Sequence, residues 1–167
     1  MTSVLLQEIP ATLIDHLDVG QSQPLIQELF EKQVENTPHK TAVIYGDRRL
    51  TYAELNHRAN QLARYLKKSG VKLENRVGVC LERSLDALVA LLGIFKAGGA
   101  YVPLDPDYPA ERLKYMLMDS QVKVLLTSRN GMAKLAHSAT ATICLDDAWD
   151  QIEQEATGNP KQIAHGE

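Results

Sequence analysis

Residues 127–134 form the stretch of this sequence whose composition most resembles a phosphate-binding loop, with two hydroxyls, one glycine and two basic side chains. Such a loop gathers backbone N–H groups around the anion and needs several glycines for the close approach. Here Gly131 is the only glycine, and Met132 and Ala133 continue into a helical pattern. The segment therefore favours an ordinary turn between a strand and a helix.

The other glycine pair and the best-placed cations also favour structural roles. Gly98 and Gly99 precede a predicted strand, whereas a phosphate loop follows one, so the pair indicates the end of a helix. Lys96 lies at that helix end, where a positive charge is favourable in any case. Arg112 follows Glu111 on a predicted exposed turn, where an ion pair contributes little.

Metal and acid–base sites have little support. Asp105 and Asp107 flank Pro106, and this pattern indicates turn residues whose side chains bond their own backbone rather than a metal pair. The histidines are dispersed and lack the spacing of zinc or iron ligands: His16, His39, His57, His137 and His165. No serine stands in a nucleophile elbow. We therefore predict no catalytic, cofactor-binding or metal-ligating residue in this chain.

The composition is that of an ordinary globular protein. Of 167 residues, 44% are hydrophobic and 23% charged, and the formal net charge is -3, which argues against disorder and against nucleic acid as a partner. Cys80 and Cys144 lie in apolar runs and are predicted to be buried thiols in a reducing compartment. The most apolar run, 85–95, is too short to span a membrane, and no signal peptide is evident, so we expect a cytoplasmic location.

The sequence of the first third of the chain predicts a leader or linker at 1–23, followed by a helix and a hairpin. Apolar residues recur at helical spacing from Pro24, and Thr37 with Pro38 supplies a stop. Residues 41–50 form a predicted hairpin. Thr51 and Glu54 have the spacing of a capping box, so a helix is expected to start there and to run to Lys68.

From Arg76 onward, short apolar strands alternate with helices. Strands are expected at 77–81, 100–104, 122–127 and 142–145, and helices at 84–96, from 109 and at 132–137. Strands that are apolar on both faces predict an α/β fold, doubly wound, with a mainly parallel sheet covered by helices on both faces. The helix at 84–96 is apolar nearly all round and should lie deepest. Residues 24–157 form the predicted domain, and 158–167 a frayed end.

Two segments resemble the first core motifs of nonribosomal peptide synthetase adenylation domains, within the adenylate-forming ligases. They are residues 50–55, LTYAEL, and residues 95–106, FKAGGAYVPLDP, extended by 108–109 and 111–112. The first motif alone is a weak signal, whereas the second is long and specific. The resemblance covers about 25–128. Leucine is usual in the family where Phe95 stands, and an apolar helix end tolerates that change.

This resemblance implies an incomplete N-terminal subdomain of the adenylate-forming fold. In that family a substrate carboxylate attacks the α-phosphate of ATP, an acyl-adenylate forms with release of pyrophosphate, and the phosphopantetheine thiol of a carrier protein then takes the acyl group. ATP, Mg²⁺ and the substrate are held by residues beyond the second motif. The chain is therefore expected to end before the phosphate loop and to be inactive alone.

Two alternatives stay open at this point. The chain could be an interaction module that completes its sheet with a separately encoded remainder or with a second copy of itself, because an interrupted sheet leaves an apolar edge. It could also belong to an acyl-CoA or aryl-acid ligase, although residues 100–105 fit the peptide synthetases better. Expected partners are the remainder of an adenylation domain and a carrier protein, with neither nucleic acid nor a membrane.

Overall fold

The structure, a computed structural model, describes residues 24–135 and 141–161 and divides into two compact units, Met1–Asn56 and His57–Glu167. The first unit contains helix α1 (Ile26–Asn36), strands β1 (Thr41–Tyr45) and β2 (Arg48–Thr51), and the start of helix α2 (Tyr52–Lys68). The predicted leader at 1–23 lies outside the described residues.

The first unit follows the local signals of its sequence. Helix α1 ends at Thr37, as the Thr-Pro pair predicts. Strands β1 and β2 pair antiparallel, and Gly46 has the positive φ of 58° that the tight turn between them requires. The Phe30 and Tyr52 rings pack with their centroids 6.0 Å apart. The predicted helix and hairpin are confirmed.

The capping box of α2 is present. The backbone N–H of Thr51 donates to Glu54 Oε2 at 2.8 Å, and the N–H of Glu54 donates to Thr51 Oγ1 at 3.2 Å. Leu50 and Leu55, on either side of the cap, are both buried. Because a cap satisfies N–H groups that the first helical turn leaves free, this local sequence fixes the start of α2.

The second unit is built on a four-stranded sheet in which every neighbouring pair is parallel, in the order β4-β3-β5-β6. Its elements after α2 are β3 (Arg76–Cys80), α3 (Leu85–Ala97), β4 (Ala100–Pro103), α4 (Ala110–Asp119), β5 (Val124–Thr127), α5 (Arg129–Leu135), β6 (Ala141–Cys144) and α6 (Leu145–Ile152). The predicted α/β fold with a parallel sheet flanked by helices is confirmed.

Helices cover both faces of this sheet. The path from β3 to β4 and the path from β4 back to β5 cross the sheet in opposite directions, so right-handed crossovers place α3 on one face and α4 and α5 on the other. The second face carries one apolar cluster, formed by Cys80, Leu104, Leu113, Leu117, Val122, Leu125 and Leu135. None of the described helices is long and apolar enough to cross a membrane.

Helix α3 lies between the sheet and α2, which explains its apolar surface. Its buried residues are Leu85, Val89, Ala90, Leu92, Gly93, Ile94, Lys96 and Ala97. A Cβ built at Gly93 would lie 3.0 Å from the Leu62 side chain of α2, so the two helices pack closely there. The helix begins at Ser84, whose Oγ accepts from the Ala87 N–H at 3.2 Å, and ends at Gly98, with φ 84°. Its predicted depth is confirmed.

The structure differs from expectation in the last third of the chain. Helix α5 begins at Arg129 rather than at 132, and His137 lies outside the described residues. Helix α6 was not anticipated, because Asp146 and Asp147 made its first turn look polar. The expected fraying also does not hold for residues 158–161, since α2 side chains bind their backbone. Residues 162–167 lie outside the described ranges.

Candidate functional site

The order of the strands singles out one edge of the sheet. Crossovers leave β3 and β5 in opposite directions, so a crevice opens between the carboxyl ends of these two strands. Ligands of open α/β sheets bind in such a crevice. The residues that follow Cys80 and Thr127 are therefore the candidate site.

The two strands are joined at that edge by a buried hydroxyl. Thr127 is fully buried, and its Oγ1 donates to the Cys80 carbonyl at 3.0 Å. Gly131 packs directly on this pair, because a Cβ at Gly131 would lie 2.1 Å from Thr127 Oγ1 and 3.3 Å from the Cys80 oxygen. Protein atoms thus occupy the space beside the glycine that resembled part of a phosphate loop.

Acidic side chains already occupy the first turn of α5. Ser128 Oγ accepts from the Gly131 N–H at 3.3 Å, and the Arg129 N–H donates to Asp146 Oδ2 at 2.8 Å. The Arg129 guanidinium pairs with Asp147 Oδ1, 2.6 Å from its nearest nitrogen. Two carboxylates at this turn would repel a phosphate group. This geometry supports the prediction that residues 127–134 join a strand to a helix and do not form a phosphate loop.

The ion pair shifts the pKa values of its two members. The hydrogen bond between Asp147 and Arg129 lowers the pKa of Asp147 and raises the pKa of Arg129. Burial raises the pKa of the Cys144 thiol, and a hydrogen bond with Asp147 adds to this effect. Burial likewise raises the pKa of Cys80. Both cysteines are therefore held as neutral thiols, which are poor nucleophiles.

The two cations singled out in the sequence lie apart from one another in the fold. Lys96 lies in the last turn of α3 and is buried, which the sequence did not indicate. The Arg112 guanidinium lies 3.9 Å from the centre of the Tyr108 ring, in the first turn of α4. That stacking is a cation–π contact, which supports a packing role for Arg112.

The remaining turn signals have the expected geometry. Asp105 Oδ1 accepts from the Asp107 N–H at 2.9 Å, as predicted for a turn. Lys134 Nζ donates to the Pro106 carbonyl, so α5 also holds this turn. Gly98 takes the left-handed conformation at the end of α3.

The histidines are not gathered into a site within the described residues. His39 and His57 are exposed, and His16, His137 and His165 lie outside the described ranges. Among the residues that the structure describes, no group of three or more His, Cys, Asp or Glu could hold a metal ion. The absence of site residues from this chain stays a prediction.

Sequence reasoning missed a set of polar contacts on α2. Asn60, Gln61 and Arg64 donate to the backbone of residues 153–159. The only local signal was that Asn60 and Gln61 interrupt an otherwise apolar helix face, since backbone acceptors leave no mark in a sequence. Burial, with a smaller contribution from Arg64, lowers the pKa of the neighbouring Lys67.

Several known proteins are similar to this chain in sequence. The family described as AMP-binding enzyme matches residues 30–166. Gramicidin S synthase 2 of Brevibacillus brevis is 51% identical over 122 residues, which cover 73% of this chain and 3% of that protein. Tyrocidine synthase 3 of Brevibacillus parabrevis is 48% identical over 141 residues, which cover 84% of this chain and 2% of that protein.

A solved structure shares the fold. The nonribosomal peptide synthetase FmoA3, in a form bound to alpha-methyl-L-serine-AMP, has a TM-score of 0.76 and 30% identity, over 85% of this chain and 16% of that chain. This chain thus spans 3%, 2% and 16% of the lengths of these three proteins. Because the family match covers most of the 167 residues, the chain belongs to the AMP-binding enzyme family.

Proposed function

We propose that this chain contributes part of an amino-acid adenylation domain in nonribosomal peptide synthesis. In that reaction an amino-acid carboxylate attacks the α-phosphate of ATP and pyrophosphate leaves, and the aminoacyl group of the adenylate then passes to a thiol on a carrier protein with release of AMP. The observation that carries the proposal is the 51% identity with Gramicidin S synthase 2. The aminoacyl-AMP bound to FmoA3 supports the same chemistry.

The second motif of the resemblance occupies the end of α3, strand β4 and the turn after it. Helix α3 ends at Gly98, β4 pairs with β3, and the Asp105 turn leads to α4 at the carboxyl edge of the sheet. We infer that this segment forms part of the scaffold around a crevice and does not itself contact the reacting atoms.

The described residues do not fit the triphosphate of ATP or its Mg²⁺ at α5. Asp146 and Asp147 already bind the first turn of that helix, and the described ranges hold no group of three metal ligands. A triphosphate needs backbone N–H groups and cations instead. We therefore expect the contacts to ATP, Mg²⁺ and phosphopantetheine to come from other residues. The cytoplasmic location of the protein stays a prediction.

The alternatives have weaker support. An acyl-CoA or aryl-acid ligase would share the fold, but Gramicidin S synthase 2 and Tyrocidine synthase 3 are 51% and 48% identical to this chain. An interaction module that completes its sheet with another chain stays compatible with the fold. Co-expression with a separately encoded remainder of an adenylation domain tests this alternative, since restored amino-acid-dependent pyrophosphate exchange would favour assembly from two chains.

A chimera tests the proposal. Residues 30–166 would replace the matching segment of Gramicidin S synthase 2, and amino-acid-dependent pyrophosphate exchange would be measured. We expect exchange to be retained, with the amino acid unchanged from that of the relative. The isolated 167-residue chain is the matched control and should show neither exchange nor ATP binding by calorimetry. A folded but inactive chimera, or turnover by the isolated chain, would contradict the proposal.

A further inference from the structure

One face of α2 carries a row of side-chain donors that bind the segment after α6, which begins with a turn at 153–155 and has no helix or strand after it up to residue 161. We call Asn60, Gln61, Arg64 and Lys67 the donor row, and residues 153–161 the strap. Asn60 Nδ2 donates to the Thr157 carbonyl at 2.7 Å. Gln61 Nε2 donates to the carbonyls of Glu153 and Glu155, at 2.6 and 3.2 Å. The first half of the strap is thus bound by two amides.

The second half of the strap is bound by the two cations of the donor row. Arg64 Nε donates to the Ala156 carbonyl at 3.1 Å, and its terminal nitrogen Nη2 donates to the Gly158 carbonyl at 2.9 Å. Lys67 Nζ lies 3.4 Å from the Lys161 carbonyl. The bound carbonyls extend from Glu153 to Lys161, so the whole strap lies beside the C-terminal half of α2.

Most of the acceptors are backbone carbonyls, which every amino acid provides. Two contacts involve strap side chains instead, from Asn60 Nδ2 to Asn159 Oδ1 at 2.9 Å and from Lys68 Nζ to Glu155 at 2.6 Å. Ala156, Thr157 and Gly158 are exposed, although their carbonyls are bound. Recognition of residues 156–158 therefore depends little on their side chains.

The donor row and the strap depend on each other. Asn60 is fully buried and Gln61 is 8% exposed, so their amide N–H groups would lose hydrogen bonds at a buried position without the strap. The strap in turn has no sheet partner among the described residues, and Pro160 lacks a backbone N–H. Side-chain donors thus supply the hydrogen bonds that a neighbouring strand would otherwise give.

We propose that the donor row is a clamp that holds residues 153–161 beside α2 chiefly through their backbone carbonyls, so that the path of the strap depends on the donors of α2 more than on the exposed side chains of the strap. Its members are therefore positioning residues. This inference does not depend on the proposed adenylation activity.

Native-state proteolysis of the 167-residue chain tests the clamp. A protease that cuts after glutamate reports opening of the strap at Glu153 and Glu155, and cutting after Glu82 reports opening elsewhere. Gln61→Met and Arg64→Met remove donors at nearly constant volume. We expect each to speed cleavage in the strap about tenfold, with cleavage at Glu82 changed less than about twofold. Arg64→Lys, which keeps one donor group, should fall between.

The strap variants Thr157→Ala and Gly158→Ala are the matched controls, because they keep every carbonyl. Both should leave strap cleavage within about twofold of the wild-type rate. Three results would overturn the proposal: unchanged strap cleavage in Gln61→Met and Arg64→Met, equal acceleration at Glu82, or an acceleration in Thr157→Ala as large as that caused by loss of a donor.

Discussion

Gly131 lies where a methyl group has no room. The Cβ of an alanine there would lie 2.1 Å from Thr127 Oγ1, although alanine is otherwise the better helix former by about 1 kcal/mol. Moving the threonine would break its buried hydrogen bond to the Cys80 carbonyl, which costs about 1–3 kcal/mol. The steric effect should therefore exceed the gain in helix propensity.

We predict that Gly131→Ala lowers the free energy of unfolding by about 1–3 kcal/mol, measured by urea denaturation. Gly158→Ala is the matched control, because no atom lies within 4 Å of the added Cβ, and it should change stability by less than about 0.5 kcal/mol. Equal effects of the two substitutions would show that backbone freedom, rather than the contact with Thr127, decides the outcome.

Asp147 gives the chain a specific sensitivity to acid. Its hydrogen bond with Arg129 lowers its pKa in the folded state below the ordinary aspartate value of about 3.9. The unfolded chain therefore takes up this proton first as the pH falls. The stabilisation by the pair is complete above that value and is lost as the pH drops through the lower, folded pKa.

We predict that wild-type protein is more stable than Asp147→Asn at pH 6, and that the difference shrinks as the pH falls from about 4 towards 2. Urea unfolding at a series of pH values measures this difference. Asp150→Asn, an exposed carboxylate on the same helix, is the control. A gap between wild type and Asp147→Asn that stays constant down to pH 2 would contradict the assignment.

At the scale of elements, the sequence predicted those helix ends that are determined by contacts between residues close together in the chain. The Thr51 capping box, the Ser84 cap and the Gly98 stop lie within a few residues of the helix ends that they define. The sequence predicts the start of α5 too late because Asp146, 17 residues away, binds its first N–H. It does not reveal the strap because most acceptors there are backbone carbonyls. Distant partners thus account for these two differences.

Helix packing reverses the usual effect of a helical glycine at Gly93. In an exposed helix, alanine in place of glycine stabilises by about 0.5–1 kcal/mol. Here the added Cβ would lie 3.0 Å from two atoms of Leu62, which is fully buried. We predict that Gly93→Ala destabilises the protein by about 1–2 kcal/mol, measured by thermal and urea unfolding.

The cause can be separated by a double-mutant cycle with Leu62→Ala. If the contact with Leu62 produces the loss, the space left by Leu62→Ala accepts the new methyl group, and the two changes together should cost less than their sum by at least about 0.5 kcal/mol. Strict additivity would place the strain elsewhere in α3.

At the scale of the whole molecule, the sequence predicted the sheet but not the crowding of its edge. Apolar strands and crossover helices follow from periodicity, and the resemblance at residues 95–106 agrees with the family match. The filling of the space beside Gly131, and the carboxylates at α5, depend on residues brought together only by the fold. The geometric support for a strand-to-helix junction at residues 127–134, in place of a phosphate loop, therefore comes from the structure.

The outer strands of the parallel sheet differ in how well they resist pairing with another chain. Strand β4 contains Pro103, which lacks an N–H and weakens that edge as a template. Strand β6 has no proline, and its first residue, Ala141, is exposed. Of the two outer strands of the parallel sheet, β6 is therefore the edge at which self-association is expected.

We predict that the isolated chain associates as its concentration rises, and that Ala141→Lys reduces this association, because a lysine on an edge strand opposes pairing. Sedimentation velocity over a range of concentrations measures the effect. Ala133→Lys, at an exposed position of α5, adds the same charge away from the edge and is the matched control. If both lysines reduce association equally, net charge rather than the β6 edge controls it. A wild-type chain that stays monomeric throughout would contradict the prediction.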